Sequence, residues 1–216
     1  INRYIEKNFS EKRKVHTEGV RRTAIALAEK YGADVEKAEL AALFHDMYRG
    51  VSEDVLNYYI KHLDLDKKYL NNCNLAHSKI AAIIMKRDYG IEDEDIINAV
   101  SYHTTGRPGM SLLEKIIYIA DAIEPNRNYP GVDALREAAQ HDLDAACLLS
   151  LTRTIEYVQG QGNYLDQDTL LAKDYFMSKS EQEQKEMIHR AQQLQSDEEM
   201  LRYVEGLAKK NDAPLL

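Results

Sequence analysis

Residues 111–125 read Ser111-Leu112-Leu113-Glu114-Lys115-Ile116-Ile117-Tyr118-Ile119-Ala120-Asp121-Ala122-Ile123-Glu124-Pro125. Serine can cap a helix at one end and proline stops it at the other, while Leu113, Ile117 and Asp121 recur at a spacing of four. The stretch is a helix, and its neighbours keep the same period. Glu94 to Tyr102 carries Ile96 and Val100 and leads into His103 and the loop Thr104-Thr105-Gly106-Arg107-Pro108-Gly109. Leu75 to Tyr89 gathers Ile80, Ala81, Ile84 and Met85 and closes at Gly90. Ser52 opens a helix with Val55, Leu56, Tyr59 and Leu63 on one side. Val35 to Phe44, capped by Asp34, runs directly into His45-Asp46, and Lys12 to Tyr31 aligns Val20, Ala24, Leu27 and Tyr31 before Gly32. Later helices are predicted over about 133–140, 142–159 and 167–177, with Gly160 and Gly162 as the break. No convincing strand pattern is present, so the fold class is all-α.

The segment from Ser180 differs in character. Ser180 with Glu183, and Ser196 with Glu199, are capping-box patterns, but bulky apolar residues are few. The expected organisation is one domain over 1–178 and an appended helical hairpin over 179–216. The 216 residues, 44% hydrophobic and 30% charged, suit one soluble domain. No apolar run is long enough to cross a membrane. Cys73 and Cys147 form no CxxC, which excludes a thiolate zinc site and points to a reducing, cytoplasmic setting. The chain starts at Ile1 rather than Met and shows no targeting pattern. A net charge of −8 argues against long nucleic acid as a partner, although 180–216 contributes 8 acidic and 5 basic residues to that balance.

Polar residues interrupt the apolar faces at a small number of places. His16 precedes Val20, Ala24 and Leu27 on one stripe, and His77 precedes Ile80, Ala81 and Ile84. His45-Asp46 follows Leu40, Leu43 and Phe44, His103 follows Ile96 and Val100, and Asp121 follows Leu113 and Ile117. Any one of them has a plain explanation: a hydrogen-bonded core histidine, a capping aspartate or a solvated helix end. Together they place six potential ligands inward from five helices, which is costly unless the groups are paired or coordinated. His62, His141 and His189 sit among charged residues and read as surface. A nitrogen and oxygen ligand set without thiolate suits iron, manganese, cobalt, nickel or zinc. Six side chains exceed what one catalytic ion can take and fit two ions sharing a carboxylate, an arrangement that acidifies a bridging water and clamps phosphoryl oxygens.

The order His16, His45-Asp46, His77, His103, Asp121 resembles the HD-domain phosphohydrolase superfamily in its two-metal form. The chain is similar, more closely, to the bacterial YqeK family of symmetric diadenosine tetraphosphate hydrolases. The residues carrying that likeness are Leu43-Phe44-His45-Asp46, Tyr102-His103-Thr104-Thr105-Gly106 and Glu114-Lys115-Ile116-Ile117-Tyr118-Ile119-Ala120-Asp121. The run continues through Ile123-Glu124-Pro125-Asn126-Arg127, Tyr129-Pro130-Gly131-Val132 and Leu135-Arg136, and later through Thr154 to Thr169-Leu170. The resemblance covers about residues 1–178 and implies an HD-domain helical bundle. It implies a first metal held by His16, His45, Asp46 and Asp121, with Asp46 bridging, and a second completed by His77 and His103. Iron is the implied metal, with manganese or cobalt as alternatives, and the implied substrate is a dinucleoside polyphosphate cleaved to two nucleoside diphosphates. Two tracts depart from the family: Met47-Tyr48-Arg49-Gly50 after the metal pair, and Asn163-Tyr164-Leu165-Asp166 where a His-Pro step is usual.

A tetraphosphate needs cationic and hydrogen-bonding partners. Arg49 and Arg127 are candidates for stabilising charge at the reacting phosphates, and Thr104, Thr105, Gly106, Arg107 and Lys115 for binding, with Arg136 more remote. Tyr102, Tyr118 and Tyr129 are candidates for base stacking or plain packing. Rival readings are hydrolysis of a deoxynucleotide, cyclic dinucleotide or alarmone, di-iron oxygenase chemistry, or a non-catalytic nucleotide sensor. A homodimer is compatible with an enzyme of this size.

Overall fold

The structure is a computed structural model that describes residues 1–178 and 185. Its helices are α1 (Asn2–Asn8), α2 (Glu11–Tyr31), α3 (Val35–Phe44), α4 (Glu53–His62), α5 (Cys73–Tyr89), α6 (Glu94–Tyr102), α7 (Leu112–Ile123), α8 (Val132–His141), α9 (Leu143–Gly160) and α10 (Gln167–Met177). A single 3-10 turn, Lys67–Tyr69, leads into α5, and no strand occurs among the described residues.

Capping chemistry sets the boundaries. The side chains of Ser10, Asp34, Asp93, Ser111, Asp142 and Asp166 each accept a backbone N–H of the helix they start. Gly32 and Gly90 end α2 and α5 in the left-handed region, at φ 73° and 66°. α1 was not anticipated. It has no side-chain cap and buries only Ile5, so its sequence carries almost no helical signal, and packing of Tyr4 edge-on to Phe9 holds it instead. The hairpin expected over 179–216 lies outside the described residues, as does His189.

α7 is the central element. Its Ile116, Ile117, Ile119 and Ala120 are wholly buried, and it packs against α2, α3, α6, α8 and α9. Each such isoleucine stabilises the fold by about 1.5–3 kcal/mol. α2 and α3 each bury a row of alanines, Ala24 and Ala28 against Ala38, Ala41 and Ala42 on the facing element, so these two helices approach closely. α5 pairs with α6 on the far side of α3 and α7. The inner ends of α2, α3, α5, α6 and α7 therefore converge, and His62 and His141 stay exposed at the periphery. No helix of the described residues is long and apolar enough to cross a membrane.

Candidate metal centre

His45 and Asp46 extend α3 into the interior. His45 N still donates to Ala41 O, after which two tight turns, Met47 N to Phe44 O and Arg49 N to Asp46 O, reverse the chain. Buried Met47 and Tyr48 anchor this corner, and Gly50 at φ 85° supplies the left-handed residue that the reversal needs. His16 comes from α2, His77 from α5, His103 from the C-cap of α6 and Asp121 from α7. All six expected ligands meet in one place. The four histidines and Asp46 are buried, and Asp121 is partly open to a cleft.

The two oxygens of Asp46 face different histidine pairs. Oδ2 lies 3.4 Å from His16 Nε2 and 3.3 Å from His45 Nε2, whereas Oδ1 lies 3.2 Å from His77 Nε2 and 3.9 Å from His103 Nε2. Asp121 Oδ1 adds to the first pair, 3.1 Å from His16 Nε2 and 4.0 Å from His45 Nε2. Ligand atoms thus form two groups, His16-His45-Asp46 and Asp46-His77-His103, joined through one carboxylate.

The opposite ring nitrogens fix the tautomer. Each Nδ1 faces an acceptor: Glu124 Oε1 at 3.1 Å for His16, Ala42 O at 2.6 Å for His45, Cys73 O at 3.1 Å for His77 and Val100 O at 2.8 Å for His103. A ring that donates from Nδ1 presents the Nε2 lone pair inward, which is the form that binds a cation. In the metal-free cluster the electrostatics favour this neutral form at His103 and oppose it at His16, which must release a proton to ligate. Burial pushes the His103 imidazole down to about 3, keeping it neutral. Burial alone would depress His16, but Asp121, Asp46 and Glu124 override it and raise the group to about 9. Asp46 is held well below the usual carboxylate range, because His45, His16 and His77 outweigh its burial. Anionic carboxylates among inward lone pairs are a chemically apt donor set for two divalent cations.

A cleft of about 900 Å³ opens onto this cluster. Arg49, Thr104 and Arg127 line it, as expected. Arg127 is clamped on Asp121, donating from Nη2 to its carboxylate and from Nε to its carbonyl at 2.8 Å. Thr104 Oγ1 is 3.2 Å from His103 Nε2. The other expected phosphate partners are placed elsewhere. Arg107 forks onto the buried Glu114, and Lys115 donates to Asp144 Oδ1 at 2.6 Å. Thr105 is buried and bonded to Gly106 O, and Gly106 packs on Leu151 and Ala172. Arg136 instead clasps the carbonyls of Ile123, Glu124 and Arg127 and so fixes the turn that carries Arg127. Tyr118 is core, bonded to Ser150, Tyr129 donates to Ala122 O, and Tyr102 lies under Lys79.

Two functional side chains escaped the sequence reading. Arg13 lines the cleft and its guanidinium reaches Asp46 Oδ2. Its position three residues before His16 puts it on the same helical face, a signal obscured by the neighbouring Lys12 and Lys14. Glu124 is buried, and beyond His16 its Oε2 accepts from Asn126 N at 2.7 Å and Asn126 Nδ2 at 3.0 Å. It orients His16 from behind, and three-residue spacing from Asp121 was its only sequence cue.

The HD domain family matches residues 13–126. A Bacillus subtilis protein named symmetrical bis(5'-nucleosyl)-tetraphosphatase is 41% identical over 177 residues, covering 82% of this chain and 95% of the relative. A Halalkalibacterium halodurans protein of the same name is 43% identical over 167 residues, 77% of this chain and 89% of its own. The crystal structure of a Clostridium acetobutylicum protein, described as a "predicted HD superfamily hydrolase involved in NAD metabolism", superposes with a TM-score of 0.78 at 43% identity, covering 82% of this chain and 95% of that one. By these matches the chain belongs to the HD-domain family, in the bacterial branch of symmetrical bis(5'-nucleosyl)-tetraphosphatases, and its converging histidines and aspartates are of the kind that could hold metal.

Proposed function

We propose that this chain hydrolyses diadenosine tetraphosphate symmetrically, adding one water across the central P–O–P link to give two ADP. The observation that carries the reading is the division of Asp46: Oδ2 toward His16 and His45, Oδ1 toward His77 and His103. His16, His45, Asp46 and Asp121 would hold a first divalent ion, and Asp46, His77 and His103 a second, with iron the metal suggested by resemblance and manganese or cobalt as alternatives. Bound there, the ions supply a water acidic enough to react at neutral pH and neutralise phosphoryl charge.

The chain's own groups do the remainder. Arg49 lines the cleft beside the ligands, where its guanidinium fork can take phosphate oxygens, and Arg127, held on Asp121 through Nε and Nη2, adds positive charge against the charge that builds on the departing ADP. Arg13 joins them once its hold on Asp46 is exchanged for phosphate, and Thr104 offers a hydroxyl donor beside His103. Glu124 keeps His16 in its ligating tautomer. Residues 1–178 serve as the enzyme unit, a division supported by the 177-residue match to the relative above, with 179–216 appended. Cys73 and Cys147 form no disulfide, which fits a reducing cytoplasm, and a homodimer is consistent with the size of the unit.

Elemental analysis of the purified protein, paired with product identification from diadenosine tetraphosphate, tests the reading. Two equivalents of metal and ADP as sole product are expected, and Asp46→Ala loses both. Intact diadenosine tetraphosphate with hydrolysis of another nucleotide, or hydrolysis retained by Asp46→Ala, overturns it.

A further inference from the structure

The cleft is chemically two-sided. One side carries the ligands together with Arg13, Arg49 and Arg127, which are the lining cations among the described residues. The rest of the lining comes from the segment entering α5 (Asn72, Asn74, Leu75) and from the end of α9 with the following loop (Tyr157, Val158, Tyr164, Leu165). An ion pair between Lys68 and the buried Asp166, at 3.2 Å, ties these two segments together. Lys68 and Asp166 offset each other there, and Glu53 is the other charged liner outside the ligand and arginine cluster among the described residues, so this part of the cleft brings no free cation to a polyphosphate. Such a surface welcomes a neutral, flat, partly apolar group.

Two large aromatics stand in solvent there: Tyr157 is 69% exposed and Tyr164 57%. Both rings are on the cleft, where Tyr102, Tyr118 and Tyr129 are not. An aromatic ring offers a purine a stacking face whatever the base, and asparagine amides such as Asn74 and Asn163 carry both donor and acceptor. We infer that the part of the cleft lined by Tyr157, Val158, Tyr164 and Leu165 is a nucleoside subsite that stacks one purine base while the phosphates run toward the arginines and the His/Asp cluster of the same cleft. The inference rests on the proposed nucleotide hydrolase reading for its ligand class.

Binding of ADP and of inorganic pyrophosphate, measured by calorimetry on the full chain, tests it without turnover. Wild-type protein binds ADP at least tenfold more tightly than pyrophosphate. Tyr157→Ala and Tyr164→Ala each weaken ADP binding by about tenfold, as loss of a base stack does, and leave pyrophosphate affinity unchanged. Tyr→Phe at either position retains ADP affinity, since the face and not the hydroxyl is used. In kinetics with diadenosine tetraphosphate the alanine loss falls in KM rather than kcat. Equal affinity for ADP and pyrophosphate, or alanine variants that bind ADP as wild type does, overturns the subsite. A protein that leaves diadenosine tetraphosphate intact yet shows the tyrosine-dependent ADP preference would retain the subsite and lose the proposed reaction.

Discussion

Gly19 offers a test in which two opposed effects of one methyl group can be weighed. It lies in the interior of α2, where alanine ordinarily stabilises a helix by about 1 kcal/mol relative to glycine. Here a Cβ would collide with Glu124 Oε2 and stand 3.2 Å from Glu124 Cδ and 3.4 Å from Asn126 Nδ2. The carboxylate has little room to yield, because Arg136 holds the Glu124 carbonyl at 3.1 Å and Asn126 holds Oε2 through both its amides. Moving it breaks at least one buried hydrogen bond to a charged group, worth about 1.5–3 kcal/mol, and in most rearrangements two. Gly19→Ala is therefore expected to destabilise by about 1–4 kcal/mol, lowering Tm by about 2–4 °C for each kcal/mol in a domain of this size. Since the displaced group orients His16, metal affinity should fall by about 10- to 100-fold. Thermal unfolding and metal titration read both quantities. Gly160→Ala, where a Cβ meets nothing within 4 Å, is the control and should be neutral or mildly stabilising. In a Glu124→Ala background, Gly19→Ala should change sign and stabilise. A single Gly19→Ala variant with raised Tm and undiminished metal affinity would refute the reasoning.

Other consequences are independent of that methyl group. Arg13 contacts the same oxygen of Asp46 that faces His16 and His45, so Arg13→Ala should tighten metal binding in calorimetry while raising KM; unchanged metal affinity would remove Arg13 from the site. Lys79 is buried between Ser101 and the Tyr102 ring, and desolvation lowers its pKa to about 8. The unfolded chain then binds the extra proton, so stability rises with pH from about 8 to about 10.4, and Lys79→Met should abolish that rise and increase Tm at pH 7 by several degrees. In chelated protein, His16 works in the opposite sense. Its raised pKa gives stability that is complete below about 6.5 and lost as pH climbs through about 9, so Tm should fall between pH 6.5 and 8, below the range where Lys79 titrates. A Tm of metal-free protein that is flat across that interval would contradict the carboxylate cage around His16.

The helices were legible because their ends carry chemistry that acts locally. Asp34 and Ser111 cap whatever follows them, and Gly32 and Gly90 close α2 and α5 by backbone freedom alone. The convergence of the six histidine and aspartate side chains was legible for a different reason: each breaks an apolar stripe, and a buried polar group needs a partner. α1 has neither signal, and only its packing reveals it.

The phosphate side chains divide on the same principle. Arg107 and Lys115 are near His103 and Asp121 in sequence, but a long flexible cation goes to the carboxylate the fold brings nearest, the buried Glu114 for Arg107 and the half-buried Asp144 for Lys115. That competition is tertiary, since Asp144 sits on α9 and its approach to α7 is invisible until the bundle closes. Arg13 fails to stand out for the converse reason: a cation among Lys12 and Lys14 at a helix start obeys the solvated-face pattern while its guanidinium reaches inward. A residue that violates its local pattern announces a function. One that conforms to the pattern, as Arg13, Tyr157 and Tyr164 do, acquires its function from what the fold places around it, so the ligand-bearing side of this cleft could be read from the sequence and the rest of its lining could not.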